Sequence, residues 1–239
     1  MKFGASAVKS LAAIRRTRLY DLAAASPLIA WYLYCAAHIF PSVNQQVTLV
    51  LLFLRTDPSV LPASLLLSTL SQLFTLLFFG VLVILFSVRR VLQLTASGIY
   101  PRCVALIGTF LGVGILLLSP QELSRWLYLA SLLLIIGGTA FAIYSALVLG
   151  RSISVLPQAR RLVTSGPYKI IRHPLYLGEI IAFAGVSLQY FSLLAFLLLL
   201  LFCLVQHQRM INEERILSAA FSEYADYKAR TYRLVPSLY

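Results

Sequence analysis

Apolar runs of near-membrane length alternate along this chain with short polar connectors. A helix needs about 20 apolar residues, within a range of roughly 17–25, to cross a bilayer core. Residues 22–40 (LAAASPLIAWYLYCAAHIF), 63–88 (ASLLLSTLSQLFTLLFFGVLVILFSV) and 126–149 meet that requirement, and 63–88 is long enough to tilt. Residues 103–118 form a shorter run rich in glycine. The block 175–206 is too long for one ordinary crossing, and the step Leu188-Gln189-Tyr190-Phe191-Ser192 splits it into a helical hairpin. Residues 47–54 (VTLVLLFL) are too short to cross and read as an interfacial segment. The pattern predicts an all-α, polytopic membrane protein with about six membrane-entering helices. Its parts are a basic arm (1–21), four transmembrane helices (22–149) and a C-terminal unit (150–239) with a polar loop, the hairpin and a tail. In the tail, Leu217, Ala220, Phe221, Tyr224 and Lys228 lie on neighbouring turns of a predicted amphipathic helix running from Glu213 to Lys228. That tail is expected to fold back over the mouth of the bundle.

Composition sharpens the class. Of 239 residues, 60% are hydrophobic and 12% charged, whereas soluble domains run nearer half apolar and a quarter charged. The formal charge of +12 is distributed by loop. Basic residues gather in the N-terminal arm (Lys2, Lys9, Arg15, Arg16, Arg18), after the second helix (Arg89, Arg90, Arg102), after the fourth (Arg151, Arg160, Arg161, Lys169, Arg172) and after the hairpin (Arg209, Arg215, Lys228, Arg230, Arg233). The alternate loops hold only Arg55 and Arg125, near Asp57 and Glu122. Six crossings put every basic loop on one side, and the positive-inside rule makes that side, with both termini, cytoplasmic. Nucleic-acid binding is disfavoured because the charge follows topology. Cys35, Cys103 and Cys203 lie in or beside apolar runs with no metal-ligand spacing, so no metal is expected. The arm lacks the apolar segment of a cleaved signal and reads as an amphipathic helix on the membrane surface. Gly108 and Gly112 have the spacing that lets helices approach closely, and are expected to pack within one bundle; oligomeric state is not readable.

Candidate chemistry is concentrated in residues 158–179 and 207–236, both on the predicted cytoplasmic side. They bracket the hairpin, which returns the chain to the side it left, so they must be neighbours in space. Gly166-Pro167 reads as a turn, and Pro174 suits the first turn of a helix. His173 then sits beside free backbone N–H groups, a place suited to an anion. At the end of the hairpin, Gln206, His207, Arg209, Glu213 and Glu214 crowd an apolar helix, and Arg209 and Glu213 share a face. Each feature alone also fits a plainer role: a positive-inside flank, an interfacial aromatic belt at Tyr168 and Tyr176, or a simple Arg–Glu pair.

Together these residues carry a resemblance. LVTSGPYKIIRHPLYLGE (162–179), then a hairpin, then RMINEERIL (209–217), FSEYADYK (221–228) and VP (235–236) resemble the isoprenylcysteine carboxyl methyltransferase family, whose broader pattern is shared by membrane phospholipid N-methyltransferases. The likeness spans about the last third of the chain; residues 1–125 carry no motif. It implies methyl transfer from S-adenosylmethionine to a lipidic acceptor, in a helical membrane fold with no nucleic acid involved. It further implies that Leu162 and Val163 line the adenosine pocket, that Tyr168, His173, Leu175 and Tyr176 hold the cofactor, that Glu213 contacts it, and that Arg209 orients the acceptor. Many members have His four residues before the TSG; here Arg160 stands there, and its guanidinium can hold a carboxylate. A carboxylate acceptor, as in a prenylated cysteine, needs an orienting cation such as Arg209. An amine acceptor must lose a proton, with Glu214 or Glu213 as base. Arg209 tips the reading toward the carboxylate. A nicotinamide-dependent membrane reductase and a transporter are the other classes weighed; the second predicts polar side chains at mid-membrane depth, and the helices here hold few beyond Ser, Thr and Gln72.

Overall fold

In the computed structural model, which describes residues 17–236, Thr17 caps the first helix, its hydroxyl accepting from the Tyr20 amide at 3.3 Å. That helix, α1 (Arg18–Thr56), is continuous for 39 residues. The expected break before an interfacial segment at 47–54 is therefore corrected. The polar stretch Asn44-Gln45-Gln46 does not end the helix, because Gln46 finds partners on the neighbouring one: Ser68 and Thr69 hydroxyls donate to its Oε1 at 3.0 and 3.3 Å. A half-buried polar side chain that is satisfied laterally leaves the helical backbone no reason to stop. Asp57 then caps a tight turn over Pro58–Val60, and α2 (Ala63–Val88) follows. It lies antiparallel to α1 around a core of Ala25, Leu82, Leu85 and Phe86.

The chain runs extended through β1 (Leu94–Thr95) into α3 (Tyr100–Phe110), which tightens into a 3₁₀ turn over Leu111–Leu117, where Gly112 and Gly114 loosen the helix. Next, α4 (Arg125–Leu149) is capped by Ser124 and stopped by Gly150 at φ +53°. A connector, 150–173, carries β2 (Gln158–Ala159), which pairs antiparallel with β1, Leu94 opposite Ala159. The hairpin is α5 (Pro174–Tyr190) and α6 (Leu193–Ala220), separated by Phe191 at φ +22° and Ser192. The predicted split at 188–192 holds. The single tail helix from Glu213 to Lys228 does not: α6 stops at Ala220, and α7 (Tyr224–Ala229) restarts in another direction. The break turns the buried Tyr224 and Tyr227 toward the connector, where Tyr227 donates to the Tyr168 carbonyl at 2.8 Å.

The fold is all-α apart from the two-residue ribbon. Four segments, Arg18–Thr56, Ala63–Val88, Arg125–Ser152 and Leu193–Ala220, are long and apolar enough to cross a membrane; α3 and α5 are shorter. The predicted basic arm lies largely outside the described residues. The tightest helix contact is between α4 and α5. A Cβ on Gly138 would lie 2.4 Å from the Ala182 amide nitrogen, and one on Gly178 would lie 2.7 Å from the Gly138 carbonyl oxygen. Only glycine allows backbones this close, and the contact fixes where α5 begins.

Candidate active site at the polar end of the bundle

Ion pairs and hydrogen bonds bring the start of α1, the end of α2, the connector, the start of α5 and the last turns of α6 to one end of the molecule. Here a cavity of about 710 Å³ opens between them. That volume is within the roughly 300–1,000 Å³ typical of small-molecule sites. Its polar wall comes from the connector, α5 and α6, and its aromatic and aliphatic wall from α1 and α2, with Tyr32, Phe78, Phe79 and Phe86.

Arg160, Leu162, Val163, Tyr168, His173, Leu175, Tyr176, Arg209 and Glu213 all line this cavity. Gly166, at φ +57°, makes the turn that starts the short 3₁₀ segment holding Tyr168. His173 precedes Pro174 at the start of α5, and its ring stacks on Tyr176, 18° from coplanar with centroids 5.6 Å apart. The Tyr176 hydroxyl donates to Glu213. The Arg209 guanidinium lies over the Tyr176 ring, 4.8 Å from its centroid. Its Nη1 donates to Gln206 Oε1 at 2.9 Å, and its Nη2 contacts the Val155 carbonyl oxygen at 3.4 Å. Its Nε–H is buried with no partner among the described residues. Gly108 on α3 makes room for it: a Cβ there would meet Arg209 Cδ at 2.6 Å. The predicted Gly108/Gly112 face thus packs inside the bundle and seats this side chain.

Glu214 corrects an expectation. It does not line the cavity. Successive residues on a helix are turned about 100° apart, so with Glu213 on the wall, Glu214 faces elsewhere. It meets Arg172 Nε at 2.9 Å, Arg233 Nε at 3.0 Å, His173 Nε2 at 3.3 Å and Lys228 Nζ at 3.8 Å. A carboxylate so occupied is a tie between connector, α6 and tail, and is no base for a ligand. The tail completes the tie through its backbone: the Arg172 and His173 amides donate to the carbonyls of Tyr232 and Arg233 at 2.8 and 3.1 Å. Around it the phenols stay protonated. Burial, reinforced by Glu213, raises the Tyr168 pKa, and burial raises that of Tyr227 to about 12. Tyr168 and Tyr227 are therefore neutral donors at any physiological pH.

Arg160 is also more constrained than its sequence suggested. Its Nη2 is 2.7 Å from Asp21 Oδ1 and 2.9 Å from Gln158 Oε1, and its Nη1 donates to the Arg90 carbonyl. Two contributors escaped the sequence reading, Asp21 and Glu179, and Gln206, named there among the residues crowding the end of the hairpin, had been given no role of its own. Glu179 lines the cavity and accepts from Gln206 Nε2 at 2.7 Å, and Gln206 in turn accepts from Arg209. The signal for Glu179 was present, as the last residue of the quoted HPLYLGE run on the face of α5 that carries Tyr176.

Residues 126–224 match the family model for phospholipid methyltransferases. That span contains most of the polar wall, and the match supports the broad family of membrane methyltransferases without singling out its isoprenylcysteine members. Among curated proteins, the chain is similar to the cobalt-zinc-cadmium resistance protein CzcN of Cupriavidus metallidurans, 40% identical over 78 residues, which are 32% of this chain and 36% of that protein. It is also similar to the nickel-cobalt-cadmium resistance protein NccN of Alcaligenes xylosoxydans xylosoxydans, 37% identical over 82 residues, 34% of this chain and 38% of that protein. The chain thus spans little more than a third of the length of these relatives.

Proposed function

We propose that this chain is an integral membrane methyltransferase that moves a methyl group from S-adenosylmethionine to a lipidic acceptor. The observation that carries the reading is the convergence of His173, Tyr176, Arg209 and Glu213 on one cavity inside the span matching the phospholipid methyltransferase model. Supporting it, the cavity has a polar wall suited to a nucleoside and an apolar wall suited to a hydrocarbon chain. The basic loops argue that the polar end, with both termini, faces the cytoplasm, so that donor arrives from water and acceptor from the bilayer.

S-adenosylmethionine, when bound, supplies an electrophilic methyl on a sulfonium. The chain supplies positioning. Leu162, Val163 and Leu175 shape the apolar floor for the nucleoside, while Tyr168, Tyr176 and His173 offer aromatic faces. Holding two reactants in register lowers a barrier by up to roughly 7–11 kcal/mol in well-oriented systems. Arg209, which lines the cavity, orients an acceptor oxygen through its charge. Because the site is shielded from water, its charge acts at lower effective dielectric.

On this reading the acceptor is a carboxylate on a prenylcysteine-like lipid, methylated on oxygen. A second reading, methylation of an amine in a phospholipid or other small lipid, has its own support: Glu179 and Glu213 both line the cavity that Arg209 lines. Either could take the proton an amine must lose, a role that Glu214, held by Arg172, Arg233, Lys228 and His173, is not placed to play. The test is incubation of the protein in lipid nanodiscs with methyl-labelled S-adenosylmethionine and a membrane lipid extract. Label in the lipid fraction is expected. Release of that label by mild base identifies an ester, and resistance identifies an amine; an unlabelled lipid fraction refutes the proposal.

A further inference from the structure

Tyr32 is on α1, outside the span that matches the methyltransferase model, and it lines the cavity. Its ring is held by α2. It stacks on Phe86, 8° from coplanar with centroids 6.0 Å apart, and is tilted 31° to Phe79 at the same separation. Those contacts require only a ring. Phenylalanine would make them all, and it already supplies the neighbouring wall at Phe78, Phe79 and Phe86. A phenol inside a protein ordinarily finds a hydrogen-bond partner. The Tyr32 hydroxyl has none among the described residues, and it is not one of the unpartnered polar atoms that the protein encloses. It therefore opens on the cavity, with its capacity to donate and its capacity to accept both unused.

The charged groups within electrostatic reach of this hydroxyl are Glu179 and Arg209. Both are fixed by one fully buried side chain, Gln206, whose Nε2 donates to Glu179 Oε2 at 2.7 Å and whose Oε1 accepts from Arg209 Nη1 at 2.9 Å. A cation, a carboxylate and a neutral phenol thus serve one cavity, and the phenol alone comes from the first helix. We infer that Tyr32 is an acceptor-binding residue, its hydroxyl hydrogen-bonding the head group of the lipid acceptor that Arg209 orients. A phenol donates to a carboxylate oxygen or accepts from an amine N–H, so the assignment stands for either acceptor. It goes to the acceptor because the ring belongs to the aromatic wall from α1 and α2, whereas the residues suited to the nucleoside come from the connector and α5. This rests on the proposed function, and it gives a helix outside the matched span a direct part in choosing the substrate.

The test uses full-length protein in nanodiscs with methyl-labelled S-adenosylmethionine and a membrane lipid extract, read as initial rates at limiting and at saturating extract. Calorimetry with S-adenosylhomocysteine and thermal unfolding run in parallel. Tyr32→Phe removes one oxygen and keeps the ring. It should lower the rate at limiting extract about 10- to 100-fold, the range for a hydrogen bond to a charged group, while probe affinity and unfolding temperature stay at wild-type values. Tyr20→Phe, which removes a phenol of α1 that does not line the cavity, should match the unmodified protein in all three measurements. A wild-type rate in Tyr32→Phe, or an equal loss in Tyr20→Phe, overturns the inference and leaves the proposed function standing. So does a loss in Tyr32→Phe accompanied by weaker probe binding or a lower unfolding temperature, which would assign the hydroxyl to the donor or to packing. Failure of the unmodified protein to label any lipid overturns both.

Discussion

The two walls of the cavity are built on opposite principles. The wall from the connector, α5 and α6 is pinned by directional contacts: Glu214 gathers Arg172, Arg233, Lys228 and His173, and Arg209 rests on Tyr176 and Gln206. The wall from α1 and α2 is held mainly by apolar packing around Leu82, Leu85 and Phe86, with Asp21 as its polar outpost. Directional contacts specify where a reacting atom sits, whereas apolar packing specifies volume and tolerates substitution of similar size. The contrast suits a donor that must be held in one pose beside a lipid chain that need only be accommodated.

That contrast can be broken experimentally. The largest effect should come from Glu214→Ala, which leaves buried Arg172 without its carboxylate; loss of one partner from a buried pair costs about 3–5 kcal/mol. Thermal unfolding in nanodiscs should show it, and donor binding should fall with it because the connector is released. Arg209→Ala should reduce methyl transfer at least ~100-fold, on the scale of losing a preorganised charged donor, while the unfolding temperature changes little. Full activity in this variant removes Arg209 from the mechanism. Gly138→Ala should cost about 1–3 kcal/mol by overpacking the α4–α5 contact, where the new Cβ would lie 2.4 Å from the Ala182 nitrogen. The smallest change is expected on the apolar wall. Phe79→Leu should alter KM for long-chain acceptors by only a few-fold, since an apolar wall tolerates hydrophobic substitutions of similar size best. A Phe79→Leu effect as large as that of Arg209→Ala would end the distinction between the walls.

Legibility followed the same division. Elements whose identity is local were readable: α2 matches 63–88, the turn at Gly166 lies where Gly166-Pro167 placed it, and the hairpin breaks at Phe191-Ser192. The hairpin geometry also anticipated that His173 and Glu213 would line one cavity. What escaped was settled by partners distant in sequence. The continuity of α1 depends on Gln46 meeting Ser68 and Thr69, and nothing in VNQQVT announces them. Asp21 looked like one acid among basic residues until Arg160, 139 residues further along the chain, came to it. Glu213 and Glu214 were indistinguishable as neighbours in sequence; the helical twist assigned one to the cavity and the other to the tail.

The pairing of the connector with the tail bears on the order of assembly. The amides of Arg172 and His173 are satisfied by carbonyls of Tyr232 and Arg233, and Ile171 bridges Tyr232 in parallel register. During synthesis the connector leaves the ribosome well before those residues exist. Until they arrive, the stretch proposed to form half of the nucleoside wall has exposed amides and a loosely held Arg172, so ligand competence should appear only once the Tyr232–Arg233 stretch has docked.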